Sequence, residues 1–487
     1  MKTIRRNIYS GVVCLLTGLF VACSNHDGKW ETLVEKVETS RATAIELTID
    51  HMAAGGLDAA LDAKLGADKY NVTKLKLSGS FNAHDVMTLR KLTQLADLDM
   101  ADIRMVQNLE DFEDNKYDFD TYFWGGNQHV SSYQYSDWIG NYMFAGFSTL
   151  ENVVLPNTVV TIGYYAFVGC KNLKTITLPS TLQVIKYYVF YETALETLVV
   201  PSSVTEVEPD FLGWNNDKLK SVFWEANIDV PSCENVDNVL LFVENPDVVA
   251  SYTWKNVIVD GVAETLEIKA SRGSDDWYSF VSPRAFTVKK FSYTRHFDNW
   301  SGLEHSGGWE TIVLPFVPTS IMHETKGVIA PFNSGVEGAK PFWLRSLTAD
   351  GFVDVTTMEA NMPYIISMPN RDEYIEEYRL NGWVTFTGEN VEIPDHIIQL
   401  PAVDGPDFSL QPTYEPVEQS RTIYSLNVRD GNGDAFVRGG GDVRAFEAYA
   451  VVEGRSVRRL ISVDCSSSST RSSEQCNQTG IPQIGDM

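Results

Sequence analysis

The residue run with the spacing of a metal-binding loop is Asp430-Gly-Asn432-Gly-Asp434, where oxygen-bearing side chains alternate with glycine. This pattern imitates the first half of an EF-hand calcium loop. Such a loop needs a glycine at its sixth position and a bidentate glutamate at its twelfth, where this sequence has Ala435 and Gly441. A hairpin turn explains the run better, because Asn-Gly pairs favour tight turns. We therefore predict no metal site and no cofactor.

Catalytic motifs are missing from the sequence. It has no H-E-x-x-H, no G-x-S-x-G and no P-loop, and its eight histidines are scattered. A pair of carboxylates for glycoside hydrolysis remains an alternative, because the two residues need to be close in the folded structure and not in the sequence. We predict that the protein is not an enzyme. The formal net charge of −26 over 487 residues also disfavours nucleic acid as a partner, since phosphate binding needs a basic surface.

The first residues have the features of a targeting segment. Basic residues precede an apolar run, 11–22, that is too short to span a membrane. The sequence Leu19-Phe-Val-Ala-Cys23 resembles a bacterial lipobox, which implies a lipid on Cys23. We predict a lipoprotein signal peptide over 1–22, a polar tether over 23–38, and an outer-membrane, lipid-anchored location exposed at the cell surface. An ordinary secretory signal is the alternative.

A period of 23 residues organises the middle of the chain. Three phrases nearly superimpose: Ile139–Pro156, Ile162–Pro179 and Ile185–Pro201. Each contains the pattern L-x-x-L-x-L or a close variant, and a looser copy ends at Trp224. A unit this short cannot close a core alone, so stacked units must bury each other's apolar positions. The period therefore predicts a leucine-rich repeat solenoid.

The same phrase occurs twice before these copies, at Val72–Leu77 and Leu95–Met100. Apolar residues at helical spacing precede each phrase, and Asn82 is the expected N-cap of the second helix. We predict that the solenoid, of α/β class, covers residues 39–262.

The segment IGYYAFVGCKNLKTITLPSTL, residues 162–182, resembles the BspA-like leucine-rich repeat of bacterial surface proteins. This resemblance implies a cell-surface protein that adheres to host, matrix or bacterial surface proteins. The phrases Gly308–Phe316 and Ala360–Ile366 resemble the β-module that accompanies such repeats. Strand-like runs separated by Gly, Pro, Asn and Asp predict an all-β, sandwich-like module over 263–462. The serine-rich tail, 463–487, is expected to be disordered.

Strands of such repeats present two columns of side chains to the concave side. The first column reads Lys74, Asp97, Asn152, Thr175, Thr197, Ser221, and the second reads Lys76, Asp99, Val154, Thr177, Val199, Phe223. We expect each lysine to pair with the aspartate beside it. The uncharged members are the candidate ligand-binding residues, with Phe223 as an exposed aromatic anchor. The alternative is a sheet face of β-favouring residues that binds nothing.

An insertion, residues 103–138, interrupts the period. It is acidic in its first half and rich in aromatic residues, and the candidates for ligand contact are Tyr117, Tyr122, Phe123 and Trp124. Insertions in repeat proteins often lie at the binding face. The alternative is that the aromatic residues pack onto the stack. The adjacent pairs Tyr164-Tyr165 and Tyr187-Tyr188 predict an aromatic ladder on the side away from the columns.

We predict a surface lipoprotein whose repeats bind a protein partner and that meets the membrane only through its lipid. A glycan-capturing accessory lipoprotein and a structural component without a specific ligand are the alternatives. A glycan binder should depend on the aromatic insertion, and a protein binder on the concave columns. A structural component should tolerate changes in both.

Overall fold

The computed structural model describes residues 44–249, 254–270, 279–297, 309–370, 374–395, 400–426, 435–439, 441–452 and 459–462. The signal segment, the tether with Cys23, the run 430–434 and the serine-rich tail lie outside the described residues. The chain divides into two compact units, 1–45 and 46–487, and the contacts below lie within the second.

The amino-terminal half begins with strands that alternate with two α-helices, continues with strands, and has short 3-10 helices at Gly66–Asn71, Glu113–Asn115 and Pro246–Val248. Its elements are β1 (Ile45–Met52), α1 (Leu57–Leu65), β2 (Val72–Phe81), α2 (Ala83–Leu89), β3 (Asp97–Met105), β4 (Lys116–Phe123), β5 (Gly126–Tyr133), β6 (Trp138–Ile139), β7 (Asn152–Val154), β8 (Thr161–Ile162), β9 (Thr175–Thr177), β10 (Val184–Ile185), β11 (Thr197–Val200), β12 (Glu206–Val207), β13 (Ser221–Trp224), β14 (Leu240–Val243) and β15 (Asn256–Val259).

The described carboxy-terminal half consists of strands and one short 3-10 turn. Its strands are β16 (Val262–Lys269), β17 (Phe286–Phe297), β18 (Trp309–Ile312), β19 (Ser320–His323), β20 (Gly327–Pro331), β21 (Lys340–Thr348), β22 (Gly351–Asp354), β23 (Tyr364–Ser367), β24 (Gly382–Ile393), β25 (Val403–Asp404), β26 (Ser409–Thr413), β27 (Tyr424–Leu426), β28 (Ala435–Arg438), β29 (Glu447–Val451) and β30 (Arg459–Ser462).

The 23-residue period sets equivalent residues of neighbouring repeats side by side. One parallel sheet has the order β1-β2-β3-β7-β9, and in it Asp97 lies opposite Asn152, which lies opposite Thr175. The return strands form a second sheet, β12-β10-β8-β6, in which Ile162 pairs with both Ile139 and Ile185. The repeated apolar positions are buried between these strands, so each repeat is covered by its neighbours.

The two helices that precede the uninterrupted repeats share one capping group. The prediction for Asn82 is confirmed, since its side chain accepts the backbone N–H groups of His84 and Asp85. The buried Asp85 carboxylate accepts the N–H groups of Asn82, Gly55 and Leu57, and therefore caps α1 as well as α2. Burial raises the pKa of Asp85, while these three hydrogen bonds oppose that shift.

The repeat sheet does not end at the predicted boundary between 262 and 263. Strands β11, β13, β14 and β15 are parallel neighbours, and β15 turns at Asp260-Gly261 into β16. The same described sheet continues through β17 and β24 to β18, and it buries one large apolar cluster that includes Phe242, Phe291 and Phe386. The two halves of the chain therefore share a sheet and a core.

A second sheet of the carboxy-terminal half has the order β25-β26-β29-β27-β28-β30 over the described residues. Its residues Leu410, Phe436 and Ala450 pack against Trp309 and Ile365 of the large sheet. The buried Arg295 joins the two sheets through two partly buried carboxylates: Arg295 Nη2 lies 2.5 Å from Glu310 and 2.9 Å from Glu447.

Candidate ligand-binding surfaces of the repeats

The first concave column is a chain of polar contacts across neighbouring strands. Lys74 Nζ lies 3.6 Å from Asp97, as predicted. Asp97 accepts a hydrogen bond from Asn152 Nδ2 at 2.5 Å, and Asn152 accepts one from Thr175 Oγ1 at 2.6 Å. Because these side chains bond one another, the column stabilises the register of the strands.

The second column begins with charge and continues with short side chains. Lys76 Nζ lies 2.9 Å from Asp99, which confirms the second predicted pair. Burial raises the pKa of Asp99, but hydrogen bonds from Lys76 and from the Ala101 N–H outweigh burial and leave this pKa below its ordinary value. Beyond this pair, Thr177 is exposed and the Val199 side chain is 41% exposed. This part of the face is open and carries short side chains.

The expectation that Phe223 and Ser221 are exposed is wrong. Phe223 is only 6% exposed, stacks on Phe242 with ring centroids 4.7 Å apart, and lies beneath the Arg284 guanidinium. Ser221 is fully buried and shares a hydrogen bond of 3.0 Å with Thr197. The cause is the carboxy-terminal half, whose residues cover the last repeats.

A third column, which the sequence analysis missed, carries alternating charges. Glu151, Lys174, Glu196 and Lys220 follow the first leucine of four successive repeats. Lys174 Nζ lies 2.8 Å from Glu151, and Lys220 Nζ lies 3.1 Å from Glu196 and 3.6 Å from Glu415 of the carboxy-terminal half. The alternation at the period of the repeat could have revealed this column.

The insertion contains a β-hairpin, β4 and β5, that packs against the repeats. Tyr117 and Phe123 are buried, so they are not available to a ligand as the sequence analysis expected, while Tyr122 and Trp124 are exposed. Tyr117 donates a hydrogen bond of 2.5 Å to the Asn141 carbonyl. Burial raises the pKa of the Tyr117 phenol. The insertion is therefore partly packed and partly exposed.

Arg90 fastens the hairpin to the first repeat, and the sequence analysis missed this role. Its guanidinium lies 3.5 Å from the centre of the Phe119 ring and donates hydrogen bonds to the carbonyls of Met143 and Ala145. Burial lowers the pKa of Arg90 to about 10. The contact is a desolvated cation–π pair, a kind that contributes ~2 kcal/mol.

The predicted aromatic ladder exists, and it starts one repeat earlier than expected. The rings of Tyr142 and Tyr165 stack with centroids 5.0 Å apart, and Tyr165 meets Tyr188 edge-on at 5.5 Å. All three tyrosines have positive φ, between 54° and 58°. A left-handed conformation costs a bulky residue ~1–2 kcal/mol, which packing under the hairpin offsets.

Other side chains that could do chemistry are inert or scattered. Cys170 is fully buried, and burial raises the pKa of its thiol to about 12. Across the described ranges, no three His, Cys, Asp or Glu side chains converge as a metal would require. In the same part of the chain, no helix has both the length and the apolar character needed to cross a bilayer.

In-register parallel strands, a 23-residue period and buried leucine positions define a leucine-rich repeat protein. More narrowly, residues 137–232 match the BspA type leucine rich repeat region in six copies, and this segment is a repeat region of that type. No curated protein matches the chain.

Solved structures of bacterial leucine-rich repeat proteins resemble parts of the chain. The leucine-rich repeat protein of T. pallidum is 25% identical over 21% of this chain and 59% of its own, with a TM-score of 0.18. The pneumococcal vaccine antigen PcpA is 16% identical over 39% of this chain and 54% of its own, with a TM-score of 0.23. A leucine-rich repeat protein from Eubacterium ventriosum is 18% identical over 42% and 70%, with a TM-score of 0.21. This chain covers less than two thirds of the length of the T. pallidum protein and of PcpA.

Proposed function

We propose that this chain is a cell-surface lipoprotein whose leucine-rich repeat solenoid binds a protein partner through the open part of its concave face. The observation that carries the proposal is the open part of this face, its floor, where the half-buried Val154 pairs with the exposed Thr177 across β7 and β9, and the exposed Val199 lies on β11. The BspA-type repeat region supports a surface role in protein interactions. The partner would be a host, matrix or bacterial surface protein.

The shape and chemistry of this floor favour a protein surface over a small ligand. Side chains along it are short, so a broad partner can approach the sheet closely. The hydroxyl and amide groups of the first column already form hydrogen bonds with one another. The exposed apolar side chain of Val199 is therefore the residue that we expect a protein partner to contact. Protein interfaces combine such apolar centres with a polar rim, here formed by Lys76 and Asp99.

A charge in the floor tests the proposal. Val199→Arg should weaken binding at least tenfold to whichever extracellular-matrix or bacterial surface protein the purified chain captures, while its melting temperature stays unchanged. Val328→Arg is the matched control, because Val328 is a strand valine of similar exposure, 44%, in the carboxy-terminal half. Undiminished binding by Val199→Arg, or no protein ligand in such a screen, would contradict the proposal. The latter result would favour a structural component.

The lipid anchor is a separate part of the proposal, and it rests on the sequence around Cys23. Metabolic labelling with a fatty acid should mark the wild-type protein and leave Cys23→Ala unlabelled. Membrane retention should be lost with the label, since stable anchoring needs more than one acyl chain. Equal labelling of both proteins would show that the anchor assignment is wrong.

We propose no catalytic role. The two packed sheets of the carboxy-terminal half act, in this proposal, as a sandwich-like module that covers the last repeats. Arg284 and Glu415 are its contacts with the repeat face. This arrangement confines the proposed binding surface to the repeats before β13.

A further inference from the structure

The hairpin tip and the last repeats form an aromatic surface that the concave face does not use. Trp124 at the tip meets Tyr165 at 5.3 Å and Tyr191 at 6.4 Å between ring centroids. Trp214 continues the surface, with its ring 6.4 Å from that of Tyr191 and 6.3 Å from that of Tyr188. The two tryptophans are 44% and 42% exposed. Tyr191 is only 9% exposed and Tyr165 and Tyr188 are half-buried, so the part of this surface that is open to a ligand consists mainly of the two tryptophan rings.

Backbone strain is present at the hairpin tip. Trp124 and Gly125 form the two-residue turn between β4 and β5, and both have positive φ, 53° and 71°. This turn favours asparagine followed by glycine, because a bulky residue is strained in the left-handed region. Like the tyrosines of the ladder, Trp124 packs against neighbouring rings, edge-on to Phe123 and Tyr165, yet it keeps nearly half of its surface in solvent. A strained aromatic residue that is still half exposed is a candidate for a functional position.

Glu192 is a second residue with positive φ that is not glycine, and it lies next to the same aromatic rings. Equivalent positions in the other repeats are the positive-φ glycines Gly146, Gly169 and Gly213, while Glu192 has φ 56°. Its backbone N–H bonds the Trp214 carbonyl at 3.0 Å. Its Oε2 atom is buried and accepts no hydrogen bond, with Lys171 Nζ 3.8 Å away. A buried carboxylate oxygen in this state costs free energy, which its attraction to the exposed Lys171 ammonium offsets in part.

From these features we propose that the surface around Trp124, Tyr191 and Trp214 binds a neutral oligosaccharide. The aliphatic C–H face of a sugar ring stacks on tryptophan and tyrosine rings, whose amphipathic character suits a ligand with one apolar face. Sugar hydroxyls accept hydrogen bonds from the exposed Lys171, which the Glu192 carboxylate positions from below. These two charges compensate each other, so the surface favours an uncharged ligand in a protein whose net charge is −26.

This site is independent of the proposed protein-binding floor, which lies on the sheet β7-β9 and on β11. The two are tested with different variants. Val199→Arg should leave oligosaccharide binding intact, and Trp124→Asn should leave capture of the protein partner intact. Failure of one site therefore does not decide the other.

An array of neutral oligosaccharides, with sialylated glycans and heparin fragments as the anionic comparison, tests the proposal on the full chain. At least one neutral oligosaccharide should bind saturably, and titration followed by tryptophan fluorescence should give its affinity. Trp124→Asn and Trp214→Ala should each weaken that affinity at least tenfold, and Glu192→Gln severalfold. Tyr70→Ala is the matched control, because Tyr70 is equally exposed, 43%, and lies outside the patch.

Folding of the variants is checked by circular dichroism and thermal melting. Asparagine suits the turn, so Trp124→Asn should retain the hairpin, and Trp214→Ala gives an independent reading should the first variant melt early. The proposal is overturned by the absence of neutral binders, by binding that survives both tryptophan changes, or by a preference for the anionic glycans. Loss of a protein partner instead of a sugar in the same variants would also overturn it.

Discussion

The repeats and the carboxy-terminal half place their charged side chains in opposite ways. In the repeats, the exposed Lys76 forms an ion pair with Asp99, whose side chain is partly exposed to water. In the carboxy-terminal half, Arg295, Glu310 and Glu447 form their contacts out of water. Exposed pairs contribute little to stability, whereas a buried charge that loses its partner is very costly. The repeats therefore tolerate changes of charge that the other half does not.

The difference also concerns distance along the chain. Lys76 and Asp99 are 23 residues apart, the length of one repeat, while Arg295 and Glu447 are 152 residues apart. Contacts of the first kind involve only the next repeat. Contacts of the second kind form only when distant strands have already come together, so they fix one arrangement of the sheets.

Removal of the buried cation should have the largest effect. Arg295→Ala leaves two largely buried carboxylates without this partner, and we expect a loss of ~3–5 kcal/mol in the free energy of unfolding. Urea denaturation followed by tryptophan fluorescence measures it. Arg104→Ala, at an exposed position of the repeats, should change stability by less than ~0.5 kcal/mol. Equal losses of stability in the two variants would contradict the difference between the two halves of the chain.

The same variant has a defined pH dependence. Burial raises the pKa of Glu310, against the opposing effect of Arg295. A raised folded-state pKa means that this group contributes stability below its unfolded pKa and loses that contribution as the pH rises through the folded value. Without Arg295 the pKa rises further. The deficit of Arg295→Ala should therefore shrink as the pH falls toward the ordinary range of glutamate, and a constant deficit would contradict this account.

Two neighbouring residues at one end of the second concave column sharpen the comparison next. Phe223→Ala should cost ~3 kcal/mol, because the ring belongs to the core shared with the carboxy-terminal half. Val199, beside it in the sheet, is exposed, so Val199→Ala should cost less than ~0.5 kcal/mol. Thermal melting of the two variants separates them. Similar melting temperatures would mean that the covering of Phe223 contributes little.

A test of nearest-neighbour packing within the repeats comes third. A Cβ on Gly163 would lie 2.8 Å from the backbone nitrogen of Asn141 in the preceding repeat. Gly163→Ala should therefore cost ~2 kcal/mol through overpacking. A Cβ on Gly126 would meet only the Gln128 side chain, at 3.8 Å, so Gly126→Ala is the matched control and should be nearly neutral. Chemical denaturation measures both, and a neutral Gly163→Ala would contradict close contact between these repeats.

The smallest effect should come from Asp99→Asn, which breaks the exposed pair with Lys76 at a cost below ~1 kcal/mol. The pKa of Asp99 lies below its ordinary value, so its contribution is present above the unfolded pKa and is lost as the pH falls through the folded value. The difference between variant and wild type should vanish in acid. If the difference in stability persists at low pH, it does not come from the negative charge of Asp99.

Sequence analysis was accurate where contacts follow the period. It predicted the pairing of Lys74 with Asp97, the cap at Asn82 and the tyrosine ladder, because each depends on neighbours in the same or the next repeat. It was wrong for Phe223, since the cover over that ring comes from Arg284, which follows the last repeats. Exposure depends on what packs above a strand, and alternation along the strand does not contain that information.

The alternating charges of the third column limit how the stack could lengthen or shorten over evolution. Glu151, Lys174, Glu196 and Lys220 return to the same sign only after two repeats. Loss of a single repeat between Glu151 and Glu196 would place two carboxylates on adjacent strands, whereas loss of a pair would keep opposite charges together. Duplication obeys the same rule. The charge pattern of this column therefore repeats every two repeats, even though the unit of folding is one.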